Sequence, residues 1–200
     1  AGFIQSNFPV FFKSTTGIAI NAYFFVAFPE EIWKFCMLFW YAYRKKEFDE
    51  PFDGIVYAVM VGMGFATVEN ISYVSQYGLM TGIMRLFLAV PAHASFAIIM
   101  GYFMGKARFS AKKERFLLFL AIFWAIVFHG SYDFFLFLQE SHKTGTDNAS
   151  LLMFLGALTS LVTGIILSKK AIKEHLNISV LQHTNQFNAE DNQSINSVNS

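Results

Sequence analysis

The stretch FLLFLAIFWAIVFHGSYDFFLFLQ, residues 116–139, is apolar over a length that matches the about 20 helical residues needed to cross a hydrocarbon core. Yet it carries His129 and Asp133 in its second half. Working outward, residues 17–43, 52–77, 81–105 and 149–168 have the same length and character. Composition agrees. Of 200 residues, 54% are hydrophobic, 18% are aromatic and only 14% are charged, against about 25% charged in a soluble domain. The mean hydropathy is +0.42, and 25 Phe are too many for one compact core. The expectation is an all-α, polytopic transmembrane helix bundle of about five spans.

Basic residues set an orientation. Arg44, Lys45 and Lys46 follow the first span; Lys106, Arg108, Lys112, Lys113 and Arg115 follow the third; Lys169, Lys170 and Lys173 follow the fifth. Simple alternation of five spans puts these eleven of the fifteen Lys and Arg on one side, which the positive-inside rule makes cytoplasmic. Residues 1–16 are expected to form a short apolar external or interfacial segment and 17–175 the transmembrane domain. Residues 176–200, rich in Asn and Ser, are expected as a disordered cytoplasmic tail. The chain starts at Ala1 without a basic n-region, so no secretory signal is read, and a preceding segment is expected. A net charge of +1 gives no general attraction to nucleic acid, so the bilayer is the expected partner and nucleic acid is not. Cys36 is alone, which excludes a disulfide framework and a cysteine zinc cluster; packing is its expected role.

The spans contain Glu30, Glu31, Lys34, Glu69, Asn70, His93, His129 and Asp133. A charged side chain at mid-span costs roughly 2.5–3.5 kcal/mol on insertion scales, so these groups must face the bundle interior and find partners or water. At 1.5 Å per residue from the outer end of each span, Asp133 lies about 9 Å deep, Glu69 about 12 Å, His129 about 15 Å, His93 about 18 Å and Glu30 about 20 Å. Four helices thus deliver ionisable groups to one layer. Glu30 and Lys34 are four apart and share a helical face, as do His129 and Asp133. Glu31 points about 100° away from Glu30. Pro29 and Pro91 remove backbone bonds beside these groups. Arg85, near the outer end of its span, is expected to snorkel, with a mild effect when replaced by Ala. Gly101-x-x-x-Gly105 reads as helix packing.

Acids able to activate water, two histidines and an intramembrane cavity are the ingredients of hydrolysis. A carboxylate can act as general base or acid. Alternatively, two histidines and a carboxylate hold a divalent metal with an open water position, and another Glu serves as base. There is no His-Glu-x-x-His and no Gly-x-Ser-x-Gly, so spacing leaves both routes open. A Glu/His/Asp relay in a proton- or ion-coupled carrier is the alternative from another class, and a non-catalytic scaffold a third.

Four strings occur on four successive spans: Pro29-Glu30-Glu31-Ile32-Trp33-Lys34, Gly64-Phe65-Ala66-Thr67-Val68-Glu69-Asn70, Pro91-Ala92-His93-Ala94-Ser95-Phe96 and His129-Gly130-Ser131-Tyr132-Asp133. With the acidic loop at residues 48–54, this ordered set resembles the PrsW family of membrane proteases over roughly residues 17–168. That family is in turn similar to the CAAX prenyl endopeptidase and bacteriocin-processing superfamily, whose first motif is also a Glu pair. The resemblance implies an endopeptidase of the bacterial cytoplasmic membrane that cuts a single-pass membrane protein, such as an anti-sigma factor, on its extracytoplasmic side. It implies Glu30 and Glu31 as the essential acid pair, supported by Lys34, and Glu69, with Asn70 beside it, as the second-motif acid. His93 is then the third-motif histidine, and His129 with Asp133 the last motif. Glu69 stands where the prenyl endopeptidases carry His, a departure from their mechanism. The implied cofactor is a divalent metal, Zn²⁺, held by His93, His129 and Glu69.

Overall fold

The computed structural model of the protein describes residues 14–141 and 147–198. Most of the apolar segment expected at 1–16 lies outside them. Helix α1 runs unbroken over residues 15–42, but its pitch alternates: α-helical Thr15–Ile20 and Phe28–Met37 are followed by wider π-helical stretches, Asn21–Ala27 and Leu38–Ala42. Ser14 starts it, its Oγ accepting the Gly17 N–H at 3.0 Å. Pro29 accounts for the first wide stretch. It has no N–H for the Phe25 carbonyl and its ring crowds that turn, so the helix relaxes and the Phe28 N–H donates to Tyr23 O.

Helix α2 (Pro51–Tyr77) begins at a capping box, with Asp53 Oδ2 accepting the Asp49 and Glu50 N–H groups at 3.0 Å each. Gly78, at φ +87°, ends it; a side chain would strain that turn. Helices α3 (Leu79–Phe87) and α4 (Ala89–Arg108) follow, bent by 42° at their junction. The single straight span expected over 81–105 is therefore broken. The cause is Pro91, which cannot bond the Phe87 carbonyl, so the break falls at Leu88. Helices α5 (Glu114–Ser141) and α6 (Asp147–Val198) complete the chain. No strand occurs among the described residues. Helices α2, α5 and α6 are each long and apolar enough to cross a membrane, and the α3–α4 pair is a fourth such unit. Helix α1 covers the remaining expected span, so all five lie on helices.

Antiparallel α2 and α4 approach backbone to backbone. Gly54 faces Gly101 and Gly105, and Gly62 faces Ala97; a Cβ at Gly54 or Gly101 would collide with the opposing carbonyl. That contact fixes the register that carries Glu69, further along α2, to His93 near the start of α4. At the end bearing the basic loops, Leu38, Tyr43, Phe48, Met100 and Met104 form a tight apolar core. Large side chains such as Trp33, Trp40, Tyr41, Phe87 and Leu152 point outward, where lipid would cover them.

The three basic segments meet at that same end. Arg108 Nη2 donates to Lys45 O at 3.4 Å, and Lys106 Nζ lies 2.7 Å from Glu174 Oε1. Here α6 continues past its apolar part. Ala171, His175 and Ser179 are buried on one face, His175 Nδ1 bonds Pro51 O at 2.9 Å, and His183 Nε2 sits 3.2 Å from Glu50 Oε2. The segment expected as a disordered tail is helical through Val198, and its first part is docked onto the start of α2 by the buried stripe Ala171, His175 and Ser179.

Candidate active site

Glu30 and Glu31 open the α-helical part of α1, just past the wide turn. Glu31 is fully buried at 0% exposed. Its Oε1 accepts from Lys34 Nζ at 2.6 Å and meets His129 Nδ1 at 2.7 Å. Lys34, 3% exposed, also reaches His93 Nδ1 at 3.1 Å and lies 4.5 Å from the Phe65 ring centroid. His93 Nε2 is 2.8 Å from Glu69 Oε2, which also meets Arg85 Nη2 at 2.7 Å. His129 Nε2 lies 3.2 Å from Asp133 Oδ2. One polar chain therefore runs Arg85–Glu69–His93–Lys34–Glu31–His129–Asp133, built from all of α1 to α5.

The donors and acceptors fix the ring orientations. An ammonium has only protons to give, so His93 Nδ1 accepts from Lys34 and Nε2–H donates to Glu69. The Glu31 carboxylate accepts Nδ1–H of His129, leaving His129 Nε2 facing Asp133 and Glu30. Phe96 stacks on the His129 ring with centroids 5.2 Å apart, and the two imidazoles meet edge to face at 5.1 Å. Glu30 stands beside this chain rather than in it. Its Oε2 is 3.9 Å from both Lys34 Nζ and His129 Nε2, buried, and without a hydrogen-bond partner. Glu30, Glu69, His93, His129 and Asp133 line a cavity of about 1140 Å³. It extends to Gln76, Tyr77, Thr81, Glu140 and Ser141, at the end away from the basic loops.

Of the residues singled out from sequence, Glu30, Glu31, Lys34, Glu69, His93, His129 and Asp133 are brought together. Asn70 is not. Its Nδ2 donates to Gly82 O of α3 at 3.4 Å, outside the cluster. Arg85 was expected to snorkel and instead turns inward, pairing with Glu69 and stacking at 3.8 Å on the Tyr73 ring. The α3–α4 bend swings it towards α2. Its sequence signal is a position two helical turns before His93, with Pro91 between. Phe96, Tyr73 and Phe65 carry no mark that separates them from the other aromatics.

Glu30, His93 and His129 each offer one ligand atom, all within 4.8 Å of one another. The sequence expectation placed Glu69 with the two histidines. Glu69 is engaged by Arg85 and His93, whereas Glu30 has an oxygen to spare. The donors fit a divalent cation. Two imidazoles and a carboxylate are a zinc set that leaves a water position, and Glu31 on His129 Nδ1 orients such a ligand; His93, whose two nitrogens are held by Lys34 and Glu69, would have to release one of them to bind.

Comparison with known proteins adds an independent finding. A family model described as PrsW family intramembrane metalloprotease matches residues 1–174. The chain is 43% identical over 122 residues to Protease PrsW of Geobacillus kaustophilus, covering 61% of this chain and 54% of that protein. It is 46% identical over 110 residues to Protease PrsW of Bacillus subtilis, covering 54% of this chain and 50% of the relative. For Protease PrsW of Clostridioides difficile the figures are 40% over 102 residues, 48% and 43%. The chain thus spans about half the length of the curated relatives it matches. No solved structure matches.

Proposed function

Because this chain belongs to the PrsW family of intramembrane metalloproteases, we propose that it is a membrane-embedded endopeptidase hydrolysing a peptide bond of a single-pass membrane protein in the bacterial cytoplasmic membrane. An anti-sigma factor is the substrate class that the motif resemblance favours. The observation that carries the proposal is Glu30 Oε2, a buried carboxylate oxygen left without a partner beside two anchored imidazoles at the inner end of a large cavity. Such an oxygen is the group that a trapped water would meet.

The surrounding residues hold this arrangement in place. Glu31 and Asp133 engage the two ring nitrogens of His129, and Lys34 with Glu69 does the same for His93. Neither ring can swing away without losing charge-assisted bonds. Glu30 holds the water and takes its proton, then returns it to the leaving amine. Glu30, His93 and His129 would hold a divalent cation, zinc by the donor set, which when bound would supply Lewis-acid polarisation of a carbonyl. Were Glu30 a ligand instead of the base, Asp133 would be the cavity carboxylate left to carry the proton. The carrier alternative fits less well. Both ends of the polar chain, Arg85 and Asp133, face the same cavity, whereas a relay across a membrane must reach both sides.

The test is cleavage of a single-pass peptide by purified protein in liposomes. Wild type is expected to cut, and Glu30→Gln, Glu31→Gln and His129→Ala to lose at least about 100-fold in rate while staying membrane-inserted. Wild-type rates in all three variants overturn the assignment; pH-driven uptake without cleavage would favour the carrier.

A further inference from the structure

Along α1, Ile18, Asn21, Phe25 and Glu30 line the cavity on one continuous face. Asn21 is its uncharged polar member. It is 5% exposed, and its Oδ1 is buried without a hydrogen-bond partner. Such an orphaned acceptor is costly in a folded protein and calls for a ligand. Its position is also fixed. Two residues on, the Tyr23 ring packs over Gly130, where any Cβ would collide with it, and Tyr23 Oη shares a 2.7 Å hydrogen bond with Ser131 Oγ.

The chemistry of that acceptor selects its ligand. A transmembrane helix has its mid-span backbone N–H groups satisfied internally and offers Asn21 no main-chain donor; an unwound, extended segment does. Asn21 lies nine residues before Glu30, at most about 13 Å along the helix, since the wider turns of Asn21–Ala27 rise less per residue. An extended strand rising about 3.3 Å per residue covers that distance in at most about four residues. We propose that Asn21 is a substrate-binding residue, its Oδ1 accepting a backbone N–H of an extended peptide segment that lies along α1, three to four residues or about 10–13 Å from the bond that is cut. This rests on the protease reading above for the identity of the ligand.

Binding is measured with the full chain in liposomes, made cleavage-incompetent by Glu30→Gln. The probe is a fluorescent single-pass oligoleucine peptide carrying a Gly-Pro break near one end. Adding Asn21→Ala is expected to weaken binding about five- to tenfold. In a series of peptides N-methylated at successive amides around the break, one is expected to bind less well to the protein with Asn21 and equally well to the Asn21→Ala protein. The methyl scan leaves the protein intact, so a folding defect cannot imitate it. The proposal is overturned if the probe binds both proteins to the same extent, no binding included, or if every N-methyl peptide behaves alike in the two. Cleavage by protein with Glu30 intact is scored separately. Asn21-dependent binding without cleavage sinks the protease reading alone, and cleavage with Asn21-independent binding sinks this proposal alone.

Discussion

At Glu31 a carboxylate sits out of water with one oxygen shared between Lys34 and His129. Removing one member of a buried ionic group leaves the other uncompensated, at a cost of about 3–5 kcal/mol. Glu31→Gln and Lys34→Met are each expected to lower thermal stability by that order and to abolish cleavage. The double variant should lose less than the sum, as measured by a thermal-unfolding cycle in detergent; strict additivity would deny the coupling. Arg85 acts through Glu69, so Arg85→Ala should reduce kcat about 10- to 100-fold with little change in KM. Arg85→Lys should restore little, since an ammonium cannot both fork onto a carboxylate and stack flat on Tyr73. Sequence alone exposed these charges because an ionisable group in an apolar span has few permissible roles. It could not show who pairs with whom. Spacing joined Glu30 to Lys34, but an α-helix brings both i+3 and i+4 partners within reach, and Lys34 sits 2.6 Å from Glu31 against 3.9 Å from Glu30.

Among the elements, two prolines shape the site by what they withhold. Pro91 breaks the third span at Leu88, and the bend presents Arg85 to Glu69. Pro91→Ala restores a backbone donor and is expected to straighten α3–α4, so activity should fall while stability holds or rises. Unfolding curves and cleavage rates on the same preparation check this; full activity would show that the bend is dispensable. Gly101→Leu should do the reverse. Its side chain must force α2 and α4 apart, at a cost of about 1–3 kcal/mol or more, and activity should fall in step with stability. Five spans were legible because their apolar length is. The break and the π turns were not, since hydropathy runs through them unchanged; the missing N–H groups of Pro29 and Pro91 hint only at the first π stretch and at the break.

For the whole molecule, alternation of basic loops gave the bundle its polarity, and the structure gathers those loops at one end, capped by the continuation of α6. The metal prediction belongs at this scale because its donors come from three helices. Purified protein is expected to carry about one zinc per chain, to lose it in His129→Ala, and to stop cleaving under a chelator. A zinc-free protein that cleaves at full rate would leave Glu30 as the sole actor. The cavity has a last consequence. Among the described residues its lining runs from the polar chain to the end away from the basic loops, while the Leu38–Met100–Met104 core packs at the other end. On the protease proposal, a severed fragment leaves towards the same end that admits the next chain, so short peptides ending at the cut should act as competitive inhibitors of cleavage.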